Sequence, residues 1–141
     1  MHMQGQPRTM QQSPVYQNVV KEVSDFLQHR AAVCVAAGIP RSQIILDPGF
    51  GFGKSLQHNY QLLSQLSELL SLNYPVLAGM SRKSMIGQLV NVPTEERLAG
   101  SLACATIAVM QGAHIIRVHD VKETVQAVAV AQAALFGVEH G

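Results

Sequence analysis

Tryptophan is missing from this 141-residue chain, cysteine occurs twice, aromatics make up 5% of it and only 13% of its residues are charged. Two cysteines make no disulfide framework. Ten Lys and Arg against nine Asp and Glu leave a net charge of +1, with no cationic run and no interleaved aromatics. That is not the electrostatic footprint of a nucleic-acid binder, nor of a protein drawn to an anionic membrane surface. The longest nearly uncharged apolar stretch, 98–110, is too short to cross a bilayer and is rich in Ala, so it reads as a buried helix. MHMQGQPRTM at the start lacks the cationic segment and apolar run of a secretory leader. These absences predict a cytoplasmic protein with neither nucleic acid nor membrane as partner. What is present, 48% apolar residues with 11 Gly and 6 Pro, suits one globular domain over residues 1–141.

Val15, Val19, Val20, Val23, Phe26, Leu27, Ala31 and Cys34 recur at three- and four-residue spacing until Gly38 and Pro40 stop them, which predicts a long amphipathic helix. IILD at 44–47 follows as a short β-branched run ended by the glycine-rich PGFGFGK, a buried strand and its loop. The alternation returns with a helix near 59–70, a strand at 76–79, helices near 83–90 and 94–111, a strand at 115–118 and a last helix. Asp120 with Glu123 three residues later predicts an acidic capping box for that helix, and Thr94, Glu95 and Glu96 place carboxylates at a positive helix end. Apolar strands joined by helices predict an α/β fold with a parallel sheet, right-handed crossovers and all post-strand loops on one edge. Active sites form on that edge.

The polar residues at the predicted strand ends are Asp47, then Ser81, Arg82, Lys83 and Ser84, then Arg117, His119 and Asp120. So much charge at the mouth of an apolar sheet must be paired or ligand-bound. Lys83 and Arg117 suit phosphate oxygens, while an ionised Asp47 only accepts hydrogen bonds and so suits an NH-rich heterocycle. An anionic group joined to a nitrogenous ring is the ligand these residues predict. Phe50 and Phe52 alternate with glycines, so backbone can approach a ligand closely and an aromatic face can border it. Neither phosphate motif fits: a P-loop needs glycine where Pro48 stands, and a dinucleotide fingerprint needs it where Lys54 stands. Lys54 is expected to be solvated. Cys34 and Cys104 read as packing residues. His2, His29, His58, His114 and His140 show no metal-ligand spacing, which predicts no protein-held metal. His119 differs by standing two residues after Arg117, so both can leave a strand end on the same side.

LDPGFGFGK (46–54), GMSRKSMIG (79–87) and GAHIIRVHDV (112–121) resemble, in order and spacing, the dihydropteroate synthases of the bacterial type. The resemblance runs over essentially the whole chain, from MHMQG to SLACATIAVMQGAHIIRVHD. It implies a TIM-type (βα)8 barrel and a transferase of folate biosynthesis that joins p-aminobenzoate to hydroxymethyl dihydropterin pyrophosphate, releasing pyrophosphate with help from Mg²⁺. Carried over residue by residue, it implies that Asp47 grips the pterin's amino and NH edge, that Lys83 reaches ring acceptors, and that Met1, Phe52 and Gly79 line the pocket. Arg117 would cover the pterin face and touch the diphosphate, and His119 would bind the diphosphate. Phe52, Lys83 and Ser84 would border the p-aminobenzoate site, where sulfonamides compete. Lys83, Arg117 and His119 are the implied catalytic residues.

A whole (βα)8 barrel takes about 250 residues, and this chain opens where the family's fifth strand ends. The expectation is therefore a C-terminal half, from a fragment or truncated gene product, inactive alone. The family's metal-holding Asn, its loop over p-aminobenzoate and two further pterin residues would then lie outside it. A non-catalytic half-barrel binding or assembly module is the alternative, and a pterin-binding methyltransferase barrel fits SRKS and RVHD less well. The segment 94–111, apolar nearly all round, predicts a homodimer through C-terminal helices, with Ala105 facing outward.

Overall fold

The computed structural model describes residues 1–138, so His140 and the end of the expected domain lie outside the described residues. Helix α1 (Val19–Ala36) starts where Asn18 accepts a hydrogen bond from the Lys21 backbone N–H at 3.0 Å, while Glu22 accepts from the N–H groups of Gln17 and Asn18. This cap fixes the helix start. Val15, expected to be helical, therefore stays in the preceding loop, 71% exposed. Val19, Val20, Val23, Leu27 and Ala31 form the buried stripe, and Phe26 sits at its margin, 37% exposed.

After a 3₁₀ turn (Arg41–Gln43), residues 44–47 run extended, and Leu46 pairs in parallel with Val76. Helix α2 (Leu56–Ser64) opens on a capping box between Ser55 and His58 and gives way to a 3₁₀ segment (Leu66–Leu72), so the single helix expected over 59–70 is split at Gln65. Strand β1 (Leu77–Ala78), helix α3 (Ser84–Val90), helix α4 (Leu98–Met110), strand β2 (Ile115–Ile116) and helix α5 (Val121–Phe136) follow. Thr94–Glu96 forms a separate 3₁₀ turn, not the start of α4, because Pro93 and Arg97 break the run at either side. Asp120 stands at the N-cap of α5 without capping it, since both its carboxylate oxygens are held by Arg82. The expected capping box is therefore absent.

β1 and β2 are parallel, with Leu77 opposite Ile115 and Ala78 opposite Ile116. Hydrogen bonds from Leu46 to Pro75 and from Leu77 to Leu46 (both 2.8 Å) extend the ladder on one side. Beyond Leu46 the His2 N–H reaches the Asp47 carbonyl at 3.0 Å, so four segments lie side by side. Their C-terminal ends share one edge, as a succession of βα units in a partial barrel requires. Leu46, Val76 and Ala78 join α1, α2, α3 and the buried face of α4 in one apolar core. On α4 that face is Ser101, Cys104, Ala105 and Ala108, and α5 packs against the same helix. Ala105 is 2% exposed and faces inward, against expectation; one turn of helical phase puts Ala99, Ala103, Ile107 and Met110 outside instead. No helix among the described residues is long and apolar enough to cross a membrane.

Candidate active site

The glycine-rich loop forms the first wall of the site. Gly49, Gly51 and Gly53 all have positive φ (74°, 81° and 64°). A Cβ on Gly49 would overlap the His2 carbonyl oxygen, and one on Gly53 the Gln4 backbone, so the N-terminal segment lies flush against the loop. Side chains hold nearly every polar group of this turn. Asp47 accepts the Gly49 N–H at 2.8 Å, Asn59 accepts the Gly51 N–H at 2.8 Å, and the Tyr16 hydroxyl donates to Gly53 O at 2.7 Å. Gln11 donates to Gly51 O.

Lys54, expected in solvent, is 3% exposed. Its ammonium donates to Gly49 O at 2.8 Å and to Phe52 O at 3.1 Å, and lies 3.0 Å from His2 Nδ1. Three acceptors match its three protons, which is why a lysine is tolerated here. Burial pushes its pKa down to about 7, with Asp47 opposing and Lys83 adding to the fall. His2, buried beside it, is lowered to about 4 by burial first and by the Lys54 charge second, and so is a neutral acceptor.

The second wall is the end of β1. Arg82 adopts a left-handed backbone (φ 57°), its N–H bonded to Ser101 Oγ at 2.9 Å and its carbonyl to an Arg97 guanidinium N–H at 2.8 Å. That turn aims Ser81 and Lys83 towards the edge while the Arg82 guanidinium clasps Asp120 through two hydrogen bonds (3.1 and 2.5 Å). Lys83 donates to Phe50 O at 2.7 Å, and its ammonium stands 4.9 Å from the Phe52 ring centroid. Burial lowers its pKa; Asp47 opposes this and Arg117 reinforces it.

The third wall is the end of β2. The Arg117 N–H bonds to Ala78 O at 3.0 Å, and its side chain lies beside Gly79, where an added Cβ would stand 3.7 Å from the Arg117 Cβ. Gly79, Ser81, Lys83, Arg117 and His119 line a cleft of about 370 Å³. A larger hollow between β2, α4 and α5, about 460 Å³, is lined mainly by valine and alanine and carries no cation or carboxylate. Of these two, the smaller cleft has the chemistry of a charged ligand.

Residues 1–119 match the family model described as pterin binding enzyme. The chain belongs to this family. Among curated members it is similar to the dihydropteroate synthase of Escherichia coli, 60% identical over 140 residues, which span 99% of this chain and 50% of that protein. The dihydropteroate synthase of Haemophilus influenzae is 58% identical over 133 residues, 94% of this chain and 48% of its own length. Of solved family structures, Yersinia pestis dihydropteroate synthase in a sulfonamide drug complex superposes with a TM-score of 0.93 at 60% identity, covering 95% of this chain and 49% of that one. The Xanthomonas albilineans enzyme in complex with 7,8-dihydropteroate gives 0.85 at 48% identity, covering 87% and 49%. The chain thus spans about half the length of the relatives it matches.

Of the residues singled out in the sequence, Asp47, Phe52, Gly79, Lys83, Arg117 and His119 come together at the shared edge. Ser84 is exposed at the first turn of α3, and Met1 lies at the rim, 56% exposed, beside Gly49. Lys54, His2 and Asn59 were missed as supports. Among the described residues there is no group of three or more His, Cys, Asp or Glu that could hold a metal ion, and Asp120 is paired with Arg82.

Proposed function

We propose that this chain carries the pterin and diphosphate half of a dihydropteroate synthase site, as the C-terminal half of a (βα)8 barrel. The observation that supports this reading is the meeting of one carboxylate, Asp47, with the cations Lys83 and Arg117 and with His119 at a single sheet edge. Asp47 keeps one oxygen on the Gly49 N–H, leaving the other to accept from an amino or NH edge of a pterin. Lys83, over Phe52, donates to ring acceptors, and Met1, Phe52 and Gly79 border the ring. Arg117 and His119 hold the diphosphate; Ser84 with Phe52 and Lys83 borders p-aminobenzoate, where sulfonamides compete.

The reaction in this reading is a displacement at the pterin's exocyclic methylene. The carbon–oxygen bond to diphosphate breaks as Arg117 and His119 neutralise the leaving charge. The neutral amine of p-aminobenzoate forms the carbon–nitrogen bond and then releases its proton. Positioning and electrostatics dominate such a step. Mg²⁺ enters this proposal through ligands outside the chain. A cytoplasmic location and a homodimer through α4 and α5 belong to the same reading, the latter supported by Ile107 and Met110, 42% and 54% exposed on the outer face of α4.

Calorimetric titration with a pterin tests the proposal. Asp47→Asn keeps an oxygen for the Gly49 N–H but offers a donor where the ring needs an acceptor, and should lose about 1 to 3 kcal/mol per NH left unpaired with an unchanged circular-dichroism spectrum. Equal affinity in the variant would move the ring elsewhere. A synthase assay of the chain, alone and mixed with the complementary half of a relative, should show turnover only in the mixture.

A further inference from the structure

We propose that Ser81 is a positioning residue that fixes His119 as its Nε2–H tautomer, so that the ring presents an N–H to an anion at the sheet edge. The proposal rests on the reading of His119 as a diphosphate-binding group. Both contacts of the Ser81 hydroxyl are with His119: its oxygen accepts the His119 backbone N–H at 3.1 Å and lies 2.9 Å from the ring Nδ1. A hydroxyl has one proton and two lone pairs. The backbone N–H can only donate, so it takes a lone pair, and the single proton remains for Nδ1. Were Nδ1 protonated instead, it would take the second lone pair and leave the hydroxyl proton without a protein acceptor among the described residues. Ser81 is only 7% exposed, and no other acceptor contacts it among the described residues. A buried donor without a partner is the costlier arrangement. Nδ1 is therefore the acceptor, and the ring proton sits on Nε2.

The turn is built to hold this contact. Ser101 and Arg97 fix the left-handed Arg82, and Arg82 grips Asp120, the residue after His119. The ends of β1 and β2 are thus clasped at two adjacent residue pairs, and the ring cannot turn Nδ1 outward without leaving Ser81. With Nδ1 occupied, Nε2 is the nitrogen left for the cleft. A neutral Nε2–H donates to a phosphate oxygen, whereas the other tautomer would aim a lone pair at the same negative charge.

Long-range ¹H–¹⁵N correlation spectra of the uniformly labelled full chain at alkaline pH, where imidazoles are neutral, read the tautomer directly. His119→Gln assigns the pattern by removing it. The wild type should show a protonated Nε2 and a bare Nδ1, Ser81→Thr should retain that pattern, and Ser81→Ala should shift it towards a mixture. Titration with inorganic pyrophosphate should weaken by about tenfold in Ser81→Ala and little in Ser81→Thr. A protonated Nδ1 in the wild type, or an unchanged pattern in a folded Ser81→Ala, overturns the role of Ser81. If Ser81→Ala does not fold, the wild-type and Ser81→Thr patterns decide. A bare Nδ1 in a wild type that binds no pyrophosphate overturns the diphosphate reading of His119 and leaves the tautomer assignment standing.

Discussion

The glycine-rich loop and the end of β2 stand on either side of Lys83 and are built in opposite ways. In the loop the carbonyls of residues 49–53 all accept from a side chain: Lys54 takes Gly49 and Phe52, Lys83 takes Phe50, Gln11 takes Gly51 and Tyr16 takes Gly53. At the end of β2, Arg117 and His119 are exposed, and the Arg117 guanidinium makes no hydrogen bond among the described residues. One wall carries a finished shape and the other an uncompensated charge. In the proposed function a flat ring needs the first before it arrives, because a loop that must order itself on binding weakens affinity. An anion supplies its own partner for the second.

Substitutions can break this contrast on the rigid side first. Gly49→Ala combines a left-handed backbone with a Cβ that overlaps the His2 carbonyl, so it should cost about 3 kcal/mol or more in urea denaturation; a loss below about 1 kcal/mol would mean that the N-terminal segment is not seated on the loop. Lys54→Met leaves Phe52 O and the His2 ring without a donor and Gly49 O with the Phe52 N–H alone, and should cost about 2 to 4 kcal/mol. Lys54→Arg, which keeps the charge without the compact tripod, should recover only part of that.

His2 sharpens the comparison through pH. Its unfolded value is 6.5 and burial lowers the native one to about 4, so the unfolded chain binds the proton first. The stability that neutral His2 contributes is complete above pH 6.5 and is lost as pH falls through about 4. Denaturation midpoints should drop across that window, and His2→Gln should flatten the drop. The smallest effect on stability belongs to the open wall: Arg117→Ala should leave the denaturation midpoint within error while weakening pyrophosphate binding by calorimetry. A clear loss of stability would show that Arg117 is a structural residue and the contrast false.

Much of the site was legible from sequence because its logic is one of order. Asp47, Lys83, Arg117 and His119 each follow an apolar run, and parallel strands must end together, so the edge they share follows from periodicity. Lys54 departs from expectation because a lysine in isolation prefers water; three glycines with positive φ turn Gly49 O and Phe52 O inward, and no pattern of residue types reveals carbonyl direction. Asp120 followed by Glu123 carried a capping signature, yet Arg82, 38 residues earlier, outcompeted the helix for its carboxylate. Ala105 lies on the inner face, which periodicity does not reveal, since a helix with apolar residues all round gives no phase. Local rules located the elements, and contacts between distant segments decided which residue served which neighbour.

Arg82 makes two demands that no single residue type meets. Its left-handed backbone suits glycine, while its side chain must be a planar fork able to take both oxygens of Asp120. Glycine would ease the turn and release the clasp; lysine would keep the charge and lose the fork; asparagine would accept the backbone and fall short of the partner. Each single replacement gives up one of the two, so the position has few neighbours in sequence space that it can drift to, although the guanidinium need touch no ligand.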